Sequence, residues 1–193
     1  MREQAQGTTS GAADDALRES HAARTRSAAA RTAATCHYLT SAGSSLVAGR
    51  QAGQAVEEPV LKAEHAVRTA RSALEALTSS ASDPAAHARC ARNAAAAATL
   101  AAQTAQAHDG AGEAAVAASR AALEASKAAG DAAAKGSLGR DETLNAEAEA
   151  AERAAVAAAE RAGWMQPGKE YLSQSSDEGE FTISLADVMH LEH

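Results

Sequence analysis

Large apolar side chains are scarce in this sequence. Its 193 residues include only 13 leucines, 7 valines, one isoleucine and one phenylalanine. So small an apolar share, combined with a net charge of -7, is often found in chains that do not fold. Proline is scarce too, with three residues, whereas 58 residues are alanine, which has the highest intrinsic helix propensity. The composition therefore predicts a highly helical protein with a thin core.

Long hydrophobic runs are also absent. The N-terminal stretch MREQAQGTTSGAADD has no apolar segment of the kind that a secretory signal requires, and the alanine-rich residues 94–107 are too few and too weakly apolar to span a membrane. We therefore expect a cytoplasmic protein without a membrane segment. Arginine outnumbers lysine 14 to 4, which suggests a bacterium with a GC-rich genome. The two cysteines, Cys36 and Cys90, lack CxxC spacing and are expected to be buried reduced thiols.

Motifs of enzymes and of metal sites are missing as well. The sequence has no Gly-rich phosphate loop, no G-x-S-x-G and no H-E-x-x-H. A ferritin-like centre needs Glu-x-x-His on two helices, but no histidine here has a glutamate three residues before it. The sequence therefore favours a non-enzymatic protein with no metal and no other cofactor.

A few smaller groupings of titratable residues have structural explanations that we prefer. Asp83 and His87 are four residues apart, but Asp83 precedes Pro84 as a helix N-cap would. Cys36 and His37 are neighbours, which point about 100° apart on a helix and so do not form a catalytic dyad. A further acidic and histidine-containing group lies near the C-terminus, at Asp187, His190, Glu192 and His193, and we expect no selective metal site from it.

The helix signals divide the chain into five segments. They run over about 14–49, 57–80, 83–109, 113–135 and 141–163. Short connections make neighbouring helices antiparallel. We therefore predict an all-α fold, an antiparallel up-and-down bundle of four to five Ala-rich helices over residues 13–163. A flexible, disordered N-terminus (1–12) precedes this bundle, and a non-helical or partly ordered tail (164–193) follows it. The first helix is long enough to be kinked or broken at Gly43.

Stripes at heptad spacing predict which faces pack together. The second helix has one at Val60, Ala63, Val67, Ala70, Leu74 and Leu77, which puts His65 on the outer face. In the fourth helix Val116 and Leu123 are seven residues apart, and in the fifth the stripe contains Leu144, Ala148, Ala151, Ala155 and Ala158. We expect coiled-coil-like packing of these stripes, with close helix axes because alanine is small. A core this thin also favours an oligomer, for example a homodimer, or a bundle that a partner completes.

Charge is distributed unevenly along the chain. No acidic residue occurs from His21 to Val56, whereas the fifth helix is rich in glutamate. The same stretch contains four arginines: Arg24, Arg26, Arg31 and Arg50. A phosphate or an acidic partner would suit this basic strip, but we prefer the interpretation that the first helix packs against the acidic fifth one. Nucleic acid is not expected as a partner, because the pI is about 5.5 and no aromatic residues alternate with the arginines.

The tail differs in composition from the rest of the chain. It holds the larger apolar residues Phe181, Ile183, Leu185, Val188 and Met189 after an acidic spacer. Two interpretations stay open: the tail caps the thin bundle, or it is a docking peptide that binds a partner protein. Our first hypothesis is an adaptor, scaffold or accessory factor that acts through protein–protein contacts, with these five residues as its binding site. The alternative is a small-ligand- or metal-binding helical bundle, with or without enzymatic activity, that uses interior His, Cys and Glu.

Overall fold

Five α-helices make up the regular structure of the residues that the structure describes. The computed structural model describes residues 4–47, 57–80, 83–134 and 136–172, and all regular secondary structure within these ranges is helical. The helices are α1 (Gln4–Val47), α2 (Glu57–Ser79), α3 (Pro84–Asp109), α4 (Glu113–Ala132) and α5 (Glu142–Arg161). The predicted all-α bundle is confirmed.

The helix ends follow the signals in the sequence. Asp83 caps α3, its side chain accepting a hydrogen bond from the backbone N–H of Ala85, and Pro84 occupies the first turn. Asp141 caps α5 in the same way, with the backbone N–H of Leu144 as its donor. Asp141 thereby ends the α4–α5 connection, which carries part of the site described below.

Helix α1 is longer than the sequence indicated. It begins at Gln4, so residues 4–12, which we expected to be irregular, are helical, and it continues without a break through Gly43 to Val47. No proline interrupts this stretch, and adding a residue to a helix that already exists is far easier than nucleating a new one. The weak apolar periodicity of residues 4–12 therefore did not indicate a helix boundary.

The helices alternate in direction around α3. Cys36 contacts the carbonyl of Ala63 whereas Ala29 packs with Ala70, so α1 and α2 run antiparallel. Thr99 of α3 donates to the carbonyl of Ala122 in α4. Helix α1 packs against α2, α3 and α5, and α3 packs against α1, α2 and α4. The result is an up-and-down bundle in which α1 and α5 lie side by side.

The core consists almost entirely of alanine. The buried apolar residues of the described ranges are alanines with five exceptions: Cys36, Leu39, Pro84, Cys90 and Trp164. One cluster joins four helices through methyl groups alone, and its members are Ala28, Ala73, Ala94, Ala95, Ala98 and Ala129. Each methyl contributes only about 0.8 kcal/mol when buried. Close approach of the helices, rather than the size of the side chains, must therefore fill this interior.

The orientation of α4 differs from the one that its large residues suggested. We expected Val116 and Leu123 to face a neighbouring helix, and this prediction is wrong because they are 40% and 50% exposed. The buried face consists of small residues instead: Ala115, Ala118, Ser119, Ala122, Ala125, Ala129 and Ala132. Only the small face lets α4 approach α3 closely enough for Thr99 to reach a carbonyl of α4. In α2 and α5 the predicted stripes do contain buried alanines, among them Ala63, Ala70 and Ala148.

Candidate functional site

The residues that the sequence singled out for protein binding cannot be placed on this fold. Phe181, Ile183, Leu185, Val188 and Met189 lie outside the described residues, and so does the acidic and histidine-containing group at the C-terminus. The last described residue of the chain, Leu172, packs against the cluster formed by Ala29, Ala70 and Ala97. The described part of the tail thus ends on the face where α1, α2 and α3 meet.

The remaining sequence candidates have structural roles or lie at the surface. Asp83 is the cap of α3, and the imidazole of His87 lies 3.4 Å from the carbonyl oxygen of Arg18. His65 is exposed, as its heptad position predicted. Within the ranges that the structure describes, no group of three or more His, Cys, Asp or Glu side chains is arranged to hold a metal ion.

Both cysteines are free and buried, as expected. The thiol of Cys36 contacts the carbonyl oxygen of Ala63 at 3.5 Å, and burial raises its pKa to about 12. Burial also raises the pKa of the Cys90 thiol. A thiol is a nucleophile or a metal ligand only as the thiolate, so neither cysteine is prepared for chemistry near neutral pH.

An unforeseen group of polar side chains is buried between α1 and the start of α5. It consists of His21 and Arg24 from α1, Asn145 from α5, and the backbone of Gly139 in the α4–α5 connection. The imidazole Nε2 of His21 lies 2.9 Å from the carbonyl oxygen of Gly139, and the Asn145 amide donates to the same oxygen at 2.8 Å. The guanidinium Nη2 of Arg24 donates to Asn145 Oδ1 at 2.9 Å and contacts His21 Nδ1. We call these four residues the α1–α5 polar cluster.

The hydrogen bonds define the protonation state of His21. Because a carbonyl oxygen only accepts, Nε2 carries the proton, and Nδ1 accepts from the guanidinium of Arg24. Burial, together with the adjacent positive charge of Arg24, lowers the pKa of His21 to about 4. His21 is therefore neutral throughout the physiological pH range.

Gly139 lets the connection approach the bundle closely. Its φ is +74°, and a Cβ atom there would lie 2.8 Å from the Cβ of Ala88 and 2.9 Å from Nε2 of His21. Any other side chain would suffer both a left-handed backbone and these clashes. The glycine thus places a carbonyl oxygen within reach of His21 and Asn145.

A buried ion pair lies on the same two helices, beyond this cluster. The guanidinium of Arg31 donates to both oxygens of Glu152, through Nη2 at 2.7 Å and Nε at 3.3 Å. The hydroxyl of Ser27 donates to Oε1 of Glu152 at 2.9 Å. This pair supports our preferred interpretation of the charge asymmetry, in which the basic first helix packs against the acidic fifth one. The Glu152 carboxylate accepts these three hydrogen bonds, and none of them comes from Arg24.

Among the described residues, no carboxylate is in hydrogen-bond contact with the guanidinium of Arg24. Its side chain is only 6% exposed, and its Nε and Nη1 atoms have no hydrogen-bond partner among the described residues. Burial lowers the pKa of its guanidinium, and the negative charges of Glu149 and Glu152 oppose that shift. An arginine remains charged even so. The polar cluster therefore holds a positive charge whose nearest negative charges, those of Glu149 and Glu152, act on it without a direct hydrogen bond.

The opposite end of the bundle is held by Asp109, the last residue of α3. Its carboxylate accepts from the Tyr38 hydroxyl and from Nε1 of Trp164, both at 2.7 Å. These bonds fasten the segment after α5, whose Trp164 is buried, onto α1 and α3. The hydrogen bond to Asp109 raises the pKa of Tyr38 to about 12. This arrangement is structural, since each polar atom has a partner within the protein.

The sequence held weak signals for the α1–α5 polar cluster. Asn145 is one of only two asparagines and lies within a helix, where asparagine is disfavoured unless its side chain has a partner. His21 opens the stretch that lacks acidic residues. Neither signal identifies a partner, because the contacts depend on how α1 and α5 are aligned.

Comparisons with known proteins add no family to this picture. No protein-family model, no curated protein and no solved structure matches the chain. Nor does any helix of the described ranges have the length and apolar character that crossing a membrane requires. Function must therefore be argued from the residues themselves.

Proposed function

We propose that this chain is a non-enzymatic helical-bundle protein that acts through protein–protein contacts, as an adaptor, scaffold or accessory factor in the cytoplasm of a GC-rich bacterium. The observation that carries the proposal is the outer face of α4. Val116 and Leu123 are two turns apart on this face and substantially exposed, in a chain that has few large apolar residues. Apolar side chains held on the outside of a rigid helix suit a partner's surface.

The C-terminal tail supplies the second part of the proposal. Its apolar residues Phe181, Ile183, Leu185, Val188 and Met189 follow an acidic spacer. A short apolar segment behind a spacer is typical of peptides that bind to a groove or to the edge of a sheet. The tail and the α4 face would then give the protein two separate points of contact with a partner. The bundle would hold the α4 face rigid.

Affinity capture from the native host, with matched surface variants, tests this proposal. The test variant is Leu123→Ser, and the control is Leu61→Ser, because Leu61 is similarly exposed but lies on α2. We expect Leu123→Ser and a form truncated after residue 177 to lose a partner that the wild type and Leu61→Ser retain. Sedimentation of the same proteins shows whether that partner is a second copy of the chain. Equal capture and equal sedimentation by all four proteins would refute the proposal.

Metal analysis tests the alternative of a metal-binding bundle. Stoichiometric iron, zinc or copper in protein purified from the native host would favour that alternative and contradict a purely binding role. The wild-type protein purified for sedimentation can be used for this metal analysis without further treatment.

A further inference from the structure

The segment after α5 returns along the side of the bundle. The ring of Tyr171 lies 6.4 Å from the ring of His37 in α1, and Leu172 packs against the cluster that contains Ala29 and Ala70. Ala29 lies about two helical turns before His37. The chain is therefore directed towards the N-terminus of α1 where the described part of the tail ends.

On α1, this path leads to Arg26. Arg26 lies three turns before His37 on the same face of the helix, because residues eleven apart point in nearly the same direction. Its guanidinium is 48% exposed and pairs with Glu19, which is also at the surface. An exposed ion pair of this kind contributes little to stability, so another carboxylate can readily take the place of Glu19.

On α2, the same path is lined by apolar and basic side chains. Val67, Arg71 and Leu74 are spaced by four and then three residues, so they share one face of the helix. Val67 and Leu74 are partly exposed and pack against the alanine core beneath them. Because α1 and α2 are antiparallel, Leu74 lies at the level of Arg26. We call Arg26, Val67, Arg71 and Leu74 the α1–α2 groove.

The sequence that follows Leu172 is complementary to this groove. Residues 173–193 contain five acidic residues and neither lysine nor arginine. Three of these acidic residues lie within 177–180, directly before the apolar Phe181 and Ile183. Phe181 is nine residues from Leu172, a span of up to about 30 Å, so its ring can reach every part of the groove.

The α4 face is less suited to this segment. Ala97 of α3 packs with α2, whereas Thr99 donates to a carbonyl of α4, and residues two apart on a helix point about 200° apart. Helix α4 therefore lies across α3 from the groove on which Leu172 is placed. Helix α4 also carries the exposed acidic residues Glu113 and Glu124, which would repel an acidic segment.

We propose that, in the free protein, the C-terminal segment of this same chain binds to the α1–α2 groove. Its acidic residues at 177–180 pair with Arg26 and Arg71, and Phe181 and Ile183 cover the partly exposed Leu74. Attachment through Leu172 gives the segment a high effective concentration at the groove, so weak individual contacts suffice. This contact does not depend on the proposed partner. A partner that binds the tail would compete with the groove for it.

The methyl signal of Ile183 reports on this contact, because the chain contains one isoleucine. Selective ¹³C labelling of isoleucine in the full chain gives a single δ1-methyl NMR signal, which a nearby nitroxide spin label broadens. The label is attached to Thr78→Cys, an exposed position one turn beyond Leu74 on α2. As a control it is attached to Lys127→Cys, one turn beyond Leu123 on α4. The native cysteines are buried, so the introduced cysteine takes up the label.

We expect the label at position 78 to broaden the Ile183 signal and the label at position 127 to leave it sharp. Reversing the charge of the groove in the double variant Arg26→Glu, Arg71→Glu should lower the ratio of bound to free tail roughly tenfold, as expected for the loss of two surface ion pairs. The signal should then sharpen. The control, Arg92→Glu with Arg120→Glu, changes the net charge equally at exposed positions of α3 and α4 and should retain the broadening.

Three results would overturn the proposal. The first is a sharp signal with the label at position 78, and the second is broadening by the label at position 127. The third is equal broadening in the two charge variants, since the arginines of the groove would then contribute nothing.

A mixed sample tests whether the segment binds to a second copy instead. One chain carries the spin label at position 78 without ¹³C, and the other carries ¹³C-labelled isoleucine without the spin label. A sharp signal in the mixture supports a contact within one chain. Broadening in the mixture would show that the tail binds to the groove of another copy, and would overturn the proposal.

Discussion

The substitution Gly139→Ala tests the close approach on which the α1–α5 polar cluster depends. The added Cβ would lie 2.8 Å from the Cβ of Ala88, 2.9 Å from Nε2 of His21 and 3.0 Å from the carbonyl oxygen of Pro84. The first and last of these atoms cannot move without shifting the backbone of α3. We therefore expect a penalty from overpacking as well as a penalty from the left-handed backbone.

The two penalties can be estimated separately. A left-handed conformation costs a residue with a Cβ about 1–2 kcal/mol, and forcing a methyl into a packed interior costs about 1–3 kcal/mol. The free energy of unfolding should thus fall by about 2–5 kcal/mol. Gly163→Ala is the matched control, because its φ is +75° and nothing lies within 4 Å of its added Cβ. It should cost only about 1–2 kcal/mol, through backbone strain alone.

Urea unfolding followed by circular dichroism at 222 nm measures both variants. The effect of alanine on the unfolded chain is the same in the two proteins, so it cancels in the difference. That difference should be about 1–3 kcal/mol in favour of Gly163→Ala. Equal losses of stability would show that the α4–α5 connection does not pack against His21 and Ala88, and would refute the geometry of the cluster.

Three further predictions follow from the same contacts. The fold lowers the pKa of His21 from an ordinary 6.5 to about 4, so the neutral imidazole contributes fully to the free energy of unfolding above pH 6.5. This contribution is lost as the pH falls from 6.5 to 4. Urea titrations across this range should show a loss of about 3 kcal/mol in the wild type that the variant His21→Gln lacks. Glu152→Gln should cost about 3–5 kcal/mol in the same assay, because it leaves Arg31 buried without a counter-ion. Leu123→Ala should change the stability of the monomer by less than about 0.5 kcal/mol, because Leu123 lies at the surface.

Each of these predictions has a contradicting result. An identical pH dependence in the wild type and in His21→Gln would show that His21 is not held neutral by the fold. If Glu152→Gln has no more effect than Glu149→Gln, which alters an exposed ion pair on the same helix, the buried pair is not formed. A loss of about 2–5 kcal/mol in Leu123→Ala would place this side chain in the core.

The helix boundaries with strong local signals were predictable from the sequence. Asp83 followed by Pro84 marks the start of α3, and Asp141 marks the start of α5, because the cap uses only neighbouring residues. The class of fold followed from the abundance of alanine and from the short connections. The start of α1 had no such signal, since nothing between Gln4 and Asp14 stops a helix.

The packing of α4 was not predictable in the same way. Its sequence offers two stripes, one of larger residues at Val116 and Leu123 and one of small residues that includes Ala118 and Ala122. Hydrophobic periodicity alone predicts that the stripe of larger residues is the buried one. The distance between the helix axes decides in favour of the small stripe, and that distance is a property of the assembled bundle.

The α1–α5 polar cluster depends on assembly too. Arg24 and Asn145 are 121 residues apart, and Gly139 meets His21 across 118 residues. Local patterns carry no information about such pairings. What the sequence did provide was the opposite charge of the two helices, which favours the neighbouring positions of Arg31 and Glu152.

The central claim is that closely packed methyl groups, with no room for larger side chains, hold this bundle together. Ala94→Leu tests it most directly, because Ala94 is fully buried in the cluster where four helices meet through alanines alone. Ala96→Leu is its control, on an exposed position of the same helix. We predict that Ala94→Leu lowers the free energy of unfolding by about 1–3 kcal/mol or more relative to this control. An increase in stability, as expected if leucine filled a loosely packed core, would contradict the claim.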